Sequence, residues 1–253
     1  MASEKIIVEG IRKAFGTQVV LRDLSITFAP GGIYVIRGAS GSGKTTLFRI
    51  LAGLERPDAG EVLWESMETG KRMESLGAPE GLENRKSRRK WERLRSRKAG
   101  APIPIGMVFQ ESRLLPDGNA IENVAYAVRG KKDLKELRAQ LREVLPEADL
   151  TLPVHRYSGG MRRRVEMVRA VFPGNGLLLL DEPFAGLDVE NKKRTISYLL
   201  SHRKQATVIC TSHDPAESGM LQAEEVFLTG ERWGDGICAS ACTYGIQSFG
   251  RFQ

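Results

Sequence analysis

The chain has 253 residues, 41% of them hydrophobic, and a formal net charge of +7, which suits a globular protein able to bury a sizeable core. No run approaches the roughly 20 consecutive apolar residues of a membrane-spanning helix. Met1 to Gly10 lacks the basic-then-apolar layout of a secretion signal, so a cytoplasmic chain is expected. Between Asn84 and Lys98 nine basic residues face the single acid Glu92, a local charge of +8 that leaves about −1 for everything else. The basicity is therefore one segment and not a property of the whole surface. Cys210, Cys238 and Cys242 form no CxxC pair and have no histidine at metal-ligand spacing, which favours free thiols over a Cys238–Cys242 disulfide or metal clip.

In chain order, Ile6 to Val8 and Val19 to Phe28 read as strands, followed by a Pro30-Gly31-Gly32 turn. Ile33 to Ile36 is a short apolar run suited to a buried parallel strand. It leads directly into Gly38-Ala39-Ser40-Gly41-Ser42-Gly43-Lys44-Thr45-Thr46, after which Leu47, Ile50, Leu51 and Leu54 recur at helical spacing. Glu61 to Trp64 is expected as a strand. A long polar stretch, about 65–104, then holds the basic segment and reads as an insertion, with Trp91 and Leu94 suiting a turn or two of amphipathic helix. Ile105 to Phe109 is a further strand, ending at Gln110. Helical patterns span Ala120 to Arg129, Asp133 to Leu145 and Met161 to Phe172, the last introduced by Ser158-Gly159-Gly160, so a helical lobe is expected over about 111–172. Leu177 to Leu180 is a fully apolar strand closing on Asp181-Glu182; Asn191 to Leu200 reads as a helix, and Thr207 to Cys210 as a strand before His213. Strands alternating with helices predict an α/β fold with a mostly parallel sheet. Residues 231–253 read as a short glycine-rich tail after one domain over 1–230.

Gly38 to Thr45 matches G-x-x-x-x-G-K-[ST] between a strand and a helix, the setting in which the motif cradles a polyphosphate. Glycines let successive N–H groups and the helix N-terminus point at anionic oxygens. The expected phosphate ligands are Gly38, Ser40, Gly41, Ser42, Gly43, Lys44, Thr45 and Thr46, with Lys44 reaching the β- and γ-phosphates and the Thr45 hydroxyl binding Mg²⁺. Asp181, at the end of an apolar strand, suits the second half of that metal site. Glu182 suits a general base that aligns the attacking water. A P-loop NTPase core follows.

Tyr157-Ser158-Gly159-Gly160-Met161 lies between these two motifs and resembles the Leu-Ser-Gly-Gly-Gln signature of ABC ATPases; its serine stands 23 residues before Asp181. Gln110 resembles the family glutamine that contacts metal and transmembrane partner, Ala185 to Asp188 resembles the D-loop, and His213 resembles the switch histidine. Phe15, 29 residues before Lys44, sits where the family stacks an aromatic on adenine. The resemblance runs from about Ile6 to Thr229. It implies an N-terminal antiparallel β subdomain, a helical signature lobe, and a head-to-tail dimer, expected to be of identical chains, in which Ser158, Gly159 and Gly160 of one copy close on ATP held by Lys44 of the other. It also implies Mg²⁺ at Thr45, Gln110 and Asp181, and catalytic roles for Glu182, His213 and Gln110, with Asp188 beside the nucleotide. Tyr157 replaces leucine and Met161 replaces glutamine, whereas the phosphate-facing Ser158 and glycines are intact.

With no transmembrane helix of its own, a transporter subunit of this family requires separate permease subunits, which would hold it at the inner face of the cell membrane. Phe109 to Pro116 and Asp181 to Phe184 look like importer ATPases for nitrate, sulfonate or thiamine-type solutes. Trp91-Glu92-Arg93-Leu94-Arg95, ahead of Ile105-Gly106, is instead similar to the lipoprotein-release and cell-division group. The alternative is a soluble ABC ATPase acting on nucleic acid through the basic segment. Coiled-coil insertions or tandem cassettes, which such proteins carry, are absent, so a nucleic-acid partner is not expected.

Overall fold

The computed structural model describes residues 4–67, 69–70, 72–73, 103–130, 133–233 and 236–242. The basic segment at 84–98 lies outside them, as do 243–253.

The strands are β1 (Glu4–Phe15), β2 (Gln18–Phe28), β3 (Ile33–Arg37), β4 (Ala59–Ser66), β5 (Arg72–Met73), β6 (Ile105–Val108), β7 (Leu177–Leu180), β8 (Thr207–Thr211), β9 (Glu224–Trp233) and β10 (Gly236–Cys242). The described helices are α1 (Lys44–Leu51), α2 (Ala120–Ala127), α3 (Leu134–Val144), α4 (Gly159–Val171), α5 (Val189–His202) and α6 (Pro215–Leu221), with a 3₁₀ turn at Val154–Arg156. One sheet runs β5-β4-β1-β2-β10-β9-β3-β8-β7-β6. From β9 through β3, β8 and β7 to β6 every neighbouring pair is parallel. β4, β1 and β2 pair antiparallel, with Ile6 opposite Phe28 and Trp64. The fold is thus the expected parallel core with an antiparallel β subdomain.

The strand alternation at β7 divides the interior in two. All four leucines are buried because both faces of a parallel sheet are covered. Leu177 and Leu179 point toward α1, joining Leu47, Phe48, Ile50 and Leu51 with the antiparallel strands. Leu178 and Leu180 point the other way, against Val165 and Val168 of α4 and, through them, Leu137, Leu141 and Val124 of α2 and α3. The central strand therefore anchors the phosphate-loop helix on one face and the signature helix on the other. Close approach matters at Gly106 on β6, where a Cβ would come 2.2 Å from the Ala170 carbonyl oxygen; α4 lies directly on the strand.

The helical boundaries follow from capping. Asn119 caps α2 in a reciprocal box with Glu122, Asp133 caps α3, Ser158 caps α4 and Asp188 caps α5. Tyr157, which replaces the signature leucine, is a core residue at 5% exposure, and its hydroxyl donates to the Asp149 carbonyl at 2.8 Å. A tyrosine fits because its polar tip finds a partner at the edge of an apolar site. Met161 is half-buried against the same cluster.

Within the stretch expected as a short tail, residues 231–233 and 236–242 are strand. β9 and β10 form a hairpin in register from Trp233–Gly236 to Phe227–Cys242, and β10 bridges to β2 at Ala239–Leu21. The hairpin carries the parallel sheet into the antiparallel one. Cys238 and Cys242 lie four residues apart along β10, about 13 Å at the rise of an extended strand, beyond the span of a disulfide between them. Cys210 is a buried free thiol whose pKa is pushed up to about 12 by burial.

Leu141→Ala should remove about 3 kcal/mol of stability, since Leu141 is fully buried where α3 meets the core. Urea denaturation checks this.

Candidate functional site

The phosphate loop leaves β3 and enters α1 at Gly43, whose φ of 86° lies in the left-handed region. A Cβ there would come 2.5 Å from the Leu21 side chain, so both conformation and space demand glycine. Lys44 is mostly buried, and its Nζ donates to the Gly38 and Ala39 carbonyls at 2.7 and 2.9 Å. Burial lowers its pKa, opposed by the charges of Glu182 and Asp181. A partly desolvated ammonium held over the loop is a strong point charge for an anion. The Ser42 hydroxyl, at 1% exposure, is buried in the same loop without a hydrogen-bond partner among the described residues.

Asp181 ends β7 where three elements converge. Its Oδ2 accepts from Thr45 Oγ1 at 3.0 Å and its Oδ1 from Thr211 Oγ1 at 2.7 Å. Thr211, at the end of β8, also accepts the Glu182 N–H at 2.8 Å. That bond holds Glu182 at φ 47°, a conformation that costs a non-glycine residue on the order of 1 kcal/mol. In return the Glu182 carboxylate faces His213, with Oε1 3.2 Å from Nε2. Sequence reasoning missed Thr211, because a threonine closing an apolar strand carries no local signal; its role depends on β8 lying beside β7.

The segment bearing His213 is pinned on both sides. Lys192 of α5 reaches Asp214 Oδ2 and Glu217 Oε1, each at 2.7 Å. Ser212 Oγ donates to Glu217 Oε2 at 2.6 Å and accepts the Asp214 N–H at 3.0 Å. Lys192 was also illegible in the sequence. It stands four residues after Asp188, so the helix that begins at the D-loop is tied to the histidine segment.

A second constellation gathers separately. A cleft of about 530 Å³ is bordered by Ser158, Gly159, Gly160, Gln110, Gly186 and Asp188. Ser158 Oγ accepts the Met161 N–H at 3.2 Å and is exposed, as is Gly159, at the positive end of a 13-residue helix. Asp188 accepts from Asn191 N–H at 2.9 Å. Gln110 is exposed on this side, and no hydrogen bond among the described residues joins its side chain to Thr45 or Asp181. Nor does any link Ser158, Gly159 or Gly160 to Lys44. Phe15 is 49% exposed, with the Lys13 ammonium 5.1 Å from its ring centroid. The predicted residues thus form a phosphate and carboxylate cluster (Lys44, Thr45, Asp181, Glu182, His213) and a signature cleft (Ser158 to Gly160, Gln110, Asp188), with Phe15 an open aromatic face.

Among the described residues no group of three or more His, Cys, Asp or Glu side chains could hold a metal. Mg²⁺ needs no such cage, since it is bound through one or two carboxylates together with phosphate and water. The adjoining oxygens of Thr45 and Asp181 fit that mode; Gln110 does not join them by any contact here.

The fold and this site define a phosphate-loop nucleotide-binding protein. The family described as ABC transporter matches residues 21–185, and the chain belongs to it. It is 33% identical over 230 residues to a probable sulfate/thiosulfate import ATP-binding protein of Chlorella vulgaris, covering 88% of this chain and 86% of that one. It is 32% identical over 239 residues to an aliphatic sulfonates import ATP-binding protein of Xanthomonas axonopodis, covering 91% and 83%. A spermidine/putrescine import ATP-binding protein of Chromobacterium violaceum is 33% identical over 218 residues; there the chain spans 53% of the relative's length. The fold resembles that of a dimeric bacterial ABC transporter cassette, with a TM-score of 0.66 at 23% identity over 88% of this chain and 93% of that one.

Lys192→Met should cost about 2 kcal/mol near neutral pH, because it strips the partner from the buried Glu217 carboxylate. The bonds from Lys192 hold Asp214 below the usual carboxylate range, and those from Asp214 and Glu217 raise Lys192. A depressed carboxyl contributes stability that is present above about pH 4 and lost as pH falls; a raised amine contributes stability lost only as pH rises beyond about 10. The difference between parent and variant in urea denaturation should therefore be full at pH 7 and shrink at pH 3.5.

Proposed function

We propose that this chain is the ATP-binding and ATP-hydrolysing subunit of an ABC importer, which dimerises on ATP and drives separate permease subunits at the inner face of the cell membrane. The observation that carries the reading is the division of the site. Lys44, Thr45, Asp181, Glu182 and His213 are gathered in one cluster, while Ser158 and its glycines open onto a different cleft. One chain offers a grip on one side of a triphosphate and a helix N-terminus suited to the other side of a second one. Two copies packed head to tail bring these together, with Asp188 beside the shared nucleotide. The import-subunit relatives support the direction of transport.

In this mechanism Gly38 to Thr46 wrap the phosphates, the Ser42 hydroxyl gains an acceptor, and Lys44 exchanges loop carbonyls for phosphate oxygens. Phe15 offers a face for the base. Thr45 and Asp181 would hold a Mg²⁺, with Gln110 as a further ligand, and the ion would supply neutralisation of the charge developing on the transferred phosphoryl group. Glu182 accepts a proton from the attacking water, aligned by its strained backbone and by the Thr211 bond. His213 keeps the Glu182 carboxylate oriented, and Ser158, Gly159 and Gly160 of the second copy donate to the γ-phosphate. After hydrolysis the shared ligand is divided, so the two copies separate and the permease is reset.

Glu182→Gln should lower ATP turnover by about a hundredfold or more while leaving ATP binding, and trap a dimer. An unchanged monomer peak on size-exclusion chromatography with MgATP would contradict the shared site. Lys44→Ala should weaken ATP binding at least tenfold in a fluorescence titration, through loss of the charge paired with phosphate.

A further inference from the structure

The signature helix carries a cluster that the phosphate chemistry does not use. Glu166 of α4 is 1% exposed, yet it is a carboxylate. Its Oε1 accepts the Arg113 N–H at 2.9 Å and its Oε2 stands 3.3 Å from Arg163 Nη1. Arg163, itself only 11% exposed in its side chain, also donates through Nη1 to the Phe109 carbonyl and through Nη2 to the Gln110 carbonyl at 2.9 Å. One turn further, Arg169 Nη1 donates to the Arg113 carbonyl at 2.6 Å, with Nη2 4.0 Å from Glu166. Three side chains at three-residue spacing thus grip the backbone from Phe109 to Arg113.

A buried carboxylate and two mostly buried guanidiniums are costly unless each is paired and hydrogen-bonded. Here each charge has a partner of opposite sign, and every hydrogen bond from the cluster to the backbone leads to the same five-residue segment. An apolar α4 face would pack on β6 at least as well for stability. What the charged cluster adds is direction: the planar guanidinium of Arg163 bridges two successive carbonyls at fixed geometry, which a flexible chain on an apolar surface would not have. Arg163 stands five residues after Ser158, the cap of the same helix.

We infer that Arg163, braced by Glu166, is a positioning residue that locks the backbone of Gln110 to the signature helix, so that Gln110, facing its own copy's nucleotide, and Ser158, facing the other copy's, move as one body. This rests on the ATPase reading above. Arg163 borders the cleft, but its guanidinium is engaged by the Phe109 and Gln110 carbonyls and by Glu166, so it acts through Gln110.

The test is a double-mutant cycle in steady-state ATP turnover of the purified chain, with parent, Arg163→Met, Gln110→Ala and the double variant, each verified by a cooperative melt. Arg163→Met should lower kcat about tenfold with KM for ATP within about twofold, and should add less than about twofold in the Gln110→Ala background. Arg163→Lys keeps the charge facing Glu166 but cannot bridge both carbonyls; it should show the same lack of additivity, and it carries the cycle if the methionine variant does not fold. Multiplicative losses in the double variant, or a loss confined to KM, overturn the inference while leaving the ATPase reading intact. A folded parent without ATP turnover overturns that reading, and this inference with it.

Discussion

The carboxylate of Asp181 is the point on which the rest of the structure turns. It closes the central strand β7 and accepts hydroxyl protons from Thr45 at the start of α1 and Thr211 at the end of β8. Because Asp181 is 93% buried, these bonds operate in a medium where an unmatched charge would be expensive. The strand ends, the phosphate loop and the next residue, Glu182, are therefore held to one another without a contribution from flexible surface loops. Thr211 extends the hold by fixing the Glu182 backbone where its side chain faces His213.

Packing makes that convergence possible. The leucines of β7 alternate between two interiors, one shared with the phosphate-loop helix and one with the signature helix. A single strand thereby supports the helix after the glycine loop on one face and the helix capped by Ser158 on the other, while its polar carboxyl end opens where ligands of parallel sheets bind. The signature serine is exposed at the N-terminus of its helix, and no hydrogen bond among the described residues joins it to the lysine of its own chain. A helix N-terminus left facing outward suits an anion brought by another molecule, as the proposed head-to-tail pairing requires.

Charged pairs tie these parts together. Lys192 links the helix that starts at Asp188 to both residues flanking the turn of α6, so the D-loop and the histidine segment are not independent. The Arg163–Glu166–Arg169 cluster does the same for Gln110 and the signature helix. In each case the pair is at least half-buried, which sets it apart from solvent-exposed ion pairs of little consequence. The same side chains that pair in the interior thereby fix how these segments sit against one another.

The local chemistry was legible in the amino-acid order. Gly43 sits in a glycine loop that must wrap back on itself, Ser158 introduces a helix, and the run Leu177 to Leu180 suits a buried strand; each is a property of a few neighbouring residues. The roles of Thr211, Lys192, Glu166 and Arg163 were not legible, because an isolated threonine or arginine acquires meaning only from what the sheet order brings beside it. The same holds for Gly236–Cys242, which looked like a loose end until β10 closed the gap between β2 and β9. Sequence by itself picked out the groups proposed to bind phosphate and move a proton. Tertiary structure alone decided which of them meet, since partners 30 to 140 residues apart, such as Thr211 with Asp181 and Thr45 with Asp181, are selected by strand neighbourhood and not by spacing along the chain.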